Sequence, residues 1–376
     1  MSGRAPARVR FDRGPSGQAE EFRAPHRIIR ADRPEEVEPA FDALQAAQAA
    51  GKWLAGYLSY EFGYLTSSKL RDLLPGDRAV PLLHFGVFDG PEAVSAMDAG
   101  QGGGLSAAAP AWGRDRYGRA FDRVHAYIGA GDIYQVNLTF PLAARADASP
   151  AALYAALCQR QPVPHGAFVA LDEVTLLSRS PELFFSLTAE GVLQTRPMKG
   201  TAPRGATGAE DDALRDGLQA SVKNRAENLM IVDLLRNDMS RVSEIGSVKV
   251  PKLFEVERFA TVHQMTSTIT SRLRRDVSLH DLFMALFPCG SVTGAPKVRA
   301  MQIIHEVEET PRDAYCGSIG WIAPDGAMEF NVAIRTLMMQ PDGAVRLNVG
   351  GGIVYDSTAE DEYDEALLKA RFADLS

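Results

Sequence analysis

Apolar residues recur along this chain with two different periods. Between Arg116 and Ala130 they fall at Tyr117, Phe121, Val124 and Ile128, one stripe of a helical turn, and Gly129 and Gly131 follow where such a helix ends. The spacing predicts an amphipathic helix. An alanine-rich stretch from Pro34 to Gly51 reads the same way, and further long helices are expected at about 210–240 and 293–308. The second period is two. Trp53–Tyr60 alternates, and Tyr134–Phe140, Ala167–Leu171, Leu183–Leu187, Gly191–Arg196, Gly317–Ala323, Phe330–Met339 and Val345–Val349 carry the residues that favour strands. Helices and strands mix without strict alternation, so the expected class is α+β rather than a doubly wound array.

The pattern lapses in one place. From Ala93 to Pro110, through Gln101-Gly-Gly-Gly104, small residues leave too little apolar side chain to bury, and the segment reads as a flexible linker. The organisation expected is an N-terminal lobe over 1–92 that contributes to the sheet structure, a linker over 93–110 and a main domain over 111–376. No internal repeat is evident.

Composition narrows the class further. A chain of 376 residues, 45% hydrophobic and 23% charged, can bury a large core. Its net charge of −8 argues against a nucleic-acid surface, although Arg196–Arg204 and Arg272–Arg275 can attract a small anion locally. The three cysteines, Cys158, Cys289 and Cys316, are widely spaced with no CxxC pair, which favours a reducing cytoplasm over a disulfide framework or a thiolate zinc site. No run of apolar residues is long enough for an export signal or a membrane span.

Three groups of residues carry candidate chemistry. Lys199 lies between Met198 and Gly200, with Arg196 and Arg204 nearby in sequence, and that positive charge should depress its amine and make it a nucleophile. The competing reading is a solvated loop lysine. Glu227 shares a helical stripe with Met230, Ile231 and Leu234, so a carboxylate points where apolar groups point; it serves either as a salt-bridge partner of Lys223 or as a hard-cation ligand. Glu362, Glu365 and Lys369 share one face near the C-terminus, again a solvated face or a site. Glycines form the third group. Gly290-Ser-Val-Thr293-Gly294 leads into a helix with Pro296 in its first turn, a geometry that offers backbone N–H groups to an anion or is explained in part by a Thr293 N-cap. Gly350-Gly351-Gly352 follows a strand and weakens it unless another group approaches the backbone closely.

Taken in order, Gly131-Asp-Ile-Tyr-Gln135-Val, Ser178-Arg-Ser-Pro-Glu182, Arg196–Gly205, Ala226–Asp238, Gly290–Met301, Ile334-Arg-Thr336 and Gly350–Val354 resemble the motifs of the chorismate-utilising enzymes. The resemblance covers most of 112–374 and implies an anthranilate-synthase-component-I-like fold: two large β-sheets in a sandwich surrounded by helices, with chorismate and Mg²⁺ between them. Pro-Met-Lys199-Gly-Thr is similar to the aminodeoxychorismate branch, where anthranilate synthases typically have alanine in place of the lysine. Gln135 stands where water-using members carry a lysine base, and so resembles the ammonia-using members. No segment resembles the Leu-Leu-Glu-Ser element of tryptophan feedback.

Residue by residue, the resemblance implies Lys199 as covalent nucleophile, Glu182 as general acid and His263 near the leaving group. It places Gln135, Thr293, Gly294, Arg335, Gly350, Gly351 and Lys369 on the substrate, and Glu227, Glu362 and Glu365 on Mg²⁺. Asn224 and Ala366 depart from the pattern, standing where relatives have an acid and a threonine. The reaction implied is amination of chorismate with ammonia to 4-amino-4-deoxychorismate, on the way to 4-aminobenzoate and folate. No nucleophile elbow or triad surrounds the cysteines, so a separate glutamine amidotransferase subunit is expected to supply the ammonia. With Ser376 soon after the last motif, the lyase that releases 4-aminobenzoate is expected to be a separate enzyme. Two other readings stand beside this one: anthranilate synthase component I, which Lys199 opposes, and a catalytically silent chorismate-binding subunit.

Overall fold

The computed structural model describes residues 6–95, 97, 104–259 and 262–375. Its frame is two ten-stranded sheets, with antiparallel pairing. The first runs in the order Gly294–Ala295, Gln135–Arg145, Ala344–Ile353, Thr336–Met339, Thr175–Ser180, His165–Ala170, Arg8–Phe11, Glu20–Arg23 and Glu92–Ala93. The second runs Met198–Pro203, Val262–Arg272, Val192–Arg196, Leu183–Leu187, Met328–Asn331, Ser318–Ile322, Trp53–Leu58, Leu83–Phe88 and Arg27–Ala31, with a tenth strand, Lys249–Arg258, paired to Val262–Arg272 off this path. Residues before Ala93 thus feed strands to both sheets. Part of the segment read as a linker, residues 96 and 98–103, lies outside the described residues. Its flanks form short strands, Glu92–Ala93 against Glu20–Glu21 and Ala109–Pro110 against Leu142–Ala143.

The sheets face each other through apolar side chains. Phe22 of the first sheet meets Phe88 and Trp53 of the second, with ring centroids 5.4 and 6.0 Å apart. Val9, Val169 and Met338 continue this layer against Tyr57, Ile319 and Trp321. Each large apolar side chain buried this way contributes roughly 2 kcal/mol. A second core lies beneath the helices, where Phe283 packs on Phe185 and Phe330 at 5.5 and 5.0 Å.

The structure differs from the expected elements in four places. Arg8–Phe11 and Glu20–Arg23 read as a polar start, yet both are strands: Val9, Phe11 and Phe22 are buried between the sheets, and the buried Glu21 accepts from Arg8 at 3.2 Å. The helix expected over 210–240 is two helices, Gly208–Ala220 and Val222–Ser240. They part at Ser221, whose extended backbone lets its Oγ accept the Asn224 N–H at 3.3 Å and cap the second helix. Phe330–Met339 is likewise two strands in different sheets, interrupted by Arg335 at φ +50°. The helix expected from 293 starts at Lys297. Pro296 holds its N-cap position, while the Thr293 hydroxyl donates to the Cys289 carbonyl at 3.0 Å, so Thr293 is not the cap.

Candidate active site

The centre of the site is set by the longest strand pairing, Gln135–Arg145 with Ala344–Ile353, which places Gly352 opposite Asn137. Each glycine of the 350–352 run admits a different neighbour. A Cβ on Gly350 would lie 2.2 Å from the Leu138 carbonyl, a demand of the strand itself; one on Gly351 would meet Glu362 Oε2 at 2.7 Å. One on Gly352 would lie 2.8 Å from Gln135 Nε2 and 2.9 Å from Lys199 Nζ. Gly352, part of the run expected to admit a close approach but not one of the residues placed on the substrate, therefore brings Lys199 and Gln135 together.

Lys199 sits on an edge strand, Met198–Pro203, rather than in a loop. Its amine is held below the ordinary lysine value by burial, helped by the charge of Lys369 and opposed by Glu227, Glu182 and Glu365. The direction matches the sequence argument, but the cause does not. Arg196 is paired with Glu257, and Arg204 with Asp211 at 2.7 Å, so both flanking arginines are neutralised by partners of their own. Among the described residues Lys199 makes no hydrogen bond or ion pair, which leaves its lone pair available when neutral.

Around it stand polar groups without partners. Gln135 is fully buried and, among the described residues, neither polar atom of its side-chain amide is hydrogen-bonded, a cost a native core rarely carries unless something else completes it. Arg335 is half-buried, its left-handed backbone aims it out of the strand path, and its guanidinium has no hydrogen bond or ion pair among the described residues. Burial lowers its pKa, and Glu182 is the charge that opposes this. A free guanidinium fork of this kind suits a carboxylate.

Glu182 lies at the turn between Thr175–Ser180 and Leu183–Leu187 and is 5% exposed. Burial pushes its carboxyl up to about 7, against the Ser291 hydroxyl, Lys199, the Met198 N–H and Arg335, all of which favour the charged form. A carboxyl half-protonated near neutrality suits general-acid work.

His263, also fully buried, is placed differently. Its Nε2 lies 2.8 Å from Asp211 Oδ1, and its Nδ1 has no partner among the described residues. Asp211 also accepts from Arg204 and from the Gly205 N–H at 3.0 Å, which keeps its carboxyl well below the usual range. No hydrogen bond joins His263 to Glu182 or Lys199. Thr293 is less free than expected, since its hydroxyl is committed to Cys289 and its N–H to the Gly290 carbonyl at 3.3 Å. Gly294, at φ +149°, lies where a Cβ would meet the Gln135 carbonyl at 2.2 Å, so it positions Gln135.

The acidic residues surround Lys199 without closing on one point. Glu227 makes no ion pair with Lys223 and no hydrogen bond among the described residues, although its charge acts on Lys199. Glu362 accepts from Ser357 at 2.6 Å, and burial together with Glu365 raises it. Glu365, which burial alone would raise, is pulled below its ordinary value by Lys369, its ion-pair partner at 2.8 Å, and by Lys199. Lys369 also donates to the Gly350 carbonyl at 3.0 Å. Among the described residues no three His, Cys, Asp or Glu side chains converge tightly enough to hold a metal alone. What is present is an oxygen-only donor set with one unpaired carboxylate, which fits a cation that completes its shell with water and substrate oxygens. Of the two departures, Asn224 donates to Ser221 Oγ at 2.9 Å and packs beside Gly200, and Ala366 is buried in the helix face.

The chain that carries this part-buried amine, unpartnered amide, free guanidinium and buried acid is similar to known proteins. Residues 93–374 match the profile of chorismate binding enzymes. The chain belongs to that family. Aminodeoxychorismate synthase component 1 of Escherichia coli K12 is 47% identical over 68% of this chain and 56% of its own length. Anthranilate synthase component 1 3 of Haloarcula marismortui is 44% identical over 66% of this chain and 49% of its own length. The chain thus spans about half the length of these relatives. Anthranilate synthase component I of Streptococcus pneumoniae, a solved structure, superposes with a TM-score of 0.81 at 25% identity, covering 99% of this chain and 94% of that one. The chain therefore shares the anthranilate-synthase-component-I fold. No helix among the described residues is long and apolar enough to cross a membrane.

Proposed function

We propose that the protein aminates chorismate with ammonia to give 4-amino-4-deoxychorismate. The observation that carries this reading is the meeting of Lys199 Nζ and the unpartnered Gln135 amide over Gly352. Neutral Lys199 attacks C2 of chorismate, the ring double bonds shift, and the C4–O bond breaks as Glu182 gives its proton to the departing hydroxyl, releasing water. Ammonia then bonds to C4, the double bonds shift back, and the C2–N bond breaks to return Lys199, while the proton lost by the new amine restores the acid. One difficult displacement becomes two easier ones. Arg335 binds a substrate carboxylate by its fork, Lys369 adds a second positive charge, and Gln135 completes its amide on the substrate. His263 has its ring fixed by Asp211 and one ring nitrogen, Nδ1, unpartnered among the described residues, and its assignment near the leaving group rests on the family resemblance.

Glu227, Glu362 and Glu365 are the residues that would hold Mg²⁺. Bound there, the ion supplies charge neutralisation and orientation of the substrate carboxylate. A relative named aminodeoxychorismate synthase component 1 supports the reaction, and its name implies a second component. We assign that role to a glutamine amidotransferase subunit, and release of 4-aminobenzoate to a separate lyase, in a cytoplasmic setting. The Haloarcula relative favours anthranilate synthesis as the second reading; Lys199 in Pro-Met-Lys-Gly-Thr speaks against it.

The ammonia source is tested by giving the purified chain chorismate and Mg²⁺ with either ammonium or glutamine. Product is expected with ammonium only, and equal turnover with glutamine would refute the need for a second subunit. Chelation of Mg²⁺ should abolish turnover.

The Gly352 contact yields another expectation. Gly352→Ala pushes a methyl against Lys199 and Gln135, the ends of flexible side chains, so kcat/KM for chorismate should fall on the order of 10²-fold. Its melting temperature should stay near that of the parent. Gly350→Ala meets backbone instead and should lower the melting temperature. Unchanged activity in Gly352→Ala would mean that the reaction occurs elsewhere.

A further inference from the structure

Behind Glu182 lies a short polar chain that the proposed reaction leaves unassigned. Ser291, in the 3₁₀ turn Gly290–Val292, places its Oγ 2.7 Å from Glu182 Oε1 and 3.2 Å from Cys289 Sγ. All three residues are buried, at 6%, 5% and 3% exposure. A serine hydroxyl has one proton to give. Burial and the nearby Glu182 charge push the Cys289 thiol up to about 12, so the thiol keeps its proton at every working pH. The sulfur can therefore donate to Ser291 Oγ, leaving the hydroxyl proton for the carboxyl. The turn itself is braced from elsewhere: Arg312 donates to the Val292 carbonyl at 2.8 Å, and Thr293 Oγ1 to the Cys289 carbonyl at 3.0 Å. The residues on either side of Ser291 are thus held by hydrogen bonds independent of the Glu182 carboxyl.

We propose that Ser291, backed by Cys289, is a positioning residue that occupies Oε1 of Glu182 and leaves the acidic proton on Oε2. Two consequences follow from the chemistry. One oxygen always accepts from Ser291, so the carboxyl keeps a single orientation in both protonation states and presents one proton. The donated hydrogen bond also stabilises the carboxylate, holding the proton affinity of this buried acid lower than burial alone would set it. A buried glutamic acid without that bond would grip its proton more tightly and release it less readily to a leaving group.

The acid role of Glu182 belongs to the proposed function, so the test uses a readout independent of turnover. An infrared difference titration of the full chain follows the carbonyl stretch of the protonated carboxyl, assigned by its loss in Glu182→Gln. In Ser291→Ala the midpoint should rise by about one pH unit, and the basic limb of kcat/KM against pH should move up with it. If the serine variant folds poorly, Cys289→Ala should move the midpoint in the same direction by less. A midpoint that is unchanged or lower in a folded Ser291→Ala protein overturns the proposal, because Ser291 would then be a bystander or an acceptor from Glu182. A raised midpoint with an unmoved kinetic limb keeps the Ser291 assignment and instead sinks Glu182 as the acid.

Discussion

Replacing Lys199 with alanine is expected to cut formation of 4-amino-4-deoxychorismate by about 10³-fold or more, with any residual turnover shifting toward anthranilate. The size of the effect follows from what the amine contributes. Without it, ammonia has to displace the C4 hydroxyl in one step, and the covalent route is closed. Binding should survive, because Arg335, Lys369 and Gln135 remain, so the loss should appear in kcat with little change in KM. Burial lowers the amine, and the nearby arginines are neutralised by Glu257 and Asp211. Substituting Arg196 should therefore leave the nucleophilicity of Lys199 largely unaltered. Single-turnover kinetics with mass detection of both products checks these outcomes, and parental rates in Lys199→Ala would return the residue to a structural role.

Glu182→Gln should lower kcat by roughly 10²–10⁴-fold, the range for removing a general acid. Its pH dependence is the more telling part. Burial raises this carboxyl to about 7, so the protonated, active form prevails below that pH and is lost above it. The parent should show a basic limb near neutrality, and Glu182→Gln should lose that limb while its low residual rate stays flat. The amide fills the same space, so folding should be unaffected. A retained limb in the variant would assign the titration to another group.

Much of the frame was legible from periodicity. The helix at Arg114–Gly129 and the strands around Trp53, Ala167, Leu183 and Ala344 bury alternating or helically spaced apolar residues, and that pattern is a local property of the sequence. The strands at Arg8 and Glu20 were not legible, because each is four residues long and its few apolar side chains, Val9, Phe11 and Phe22, stand among charged neighbours that find partners only in the fold. Ser221 and Arg335 each break an element by backbone conformation, which apolar spacing does not report.

The site divides in the same way. Motif order, through resemblance, pointed to Lys199, Glu182 and Gln135. Their enclosure could not be read, nor could the real cause of the depressed lysine, since Lys369 and Glu227 approach Lys199 from distant helices. Asp211, which fixes the ring of His263, and Ser291, which holds Glu182, were missed because each acts across more than fifty residues of chain. Gly352 could have been found, as the last glycine of a run already flagged for close approach.

The central claim is that this site turns chorismate and ammonia into 4-amino-4-deoxychorismate. Incubating the purified chain with chorismate, Mg²⁺ and ammonium, then identifying the product by mass and fluorescence, tests it most directly. The account predicts a non-fluorescent product with the mass of chorismate in which an amino group replaces a hydroxyl. Fluorescent anthranilate as the main product, or chorismate recovered unchanged, would contradict it.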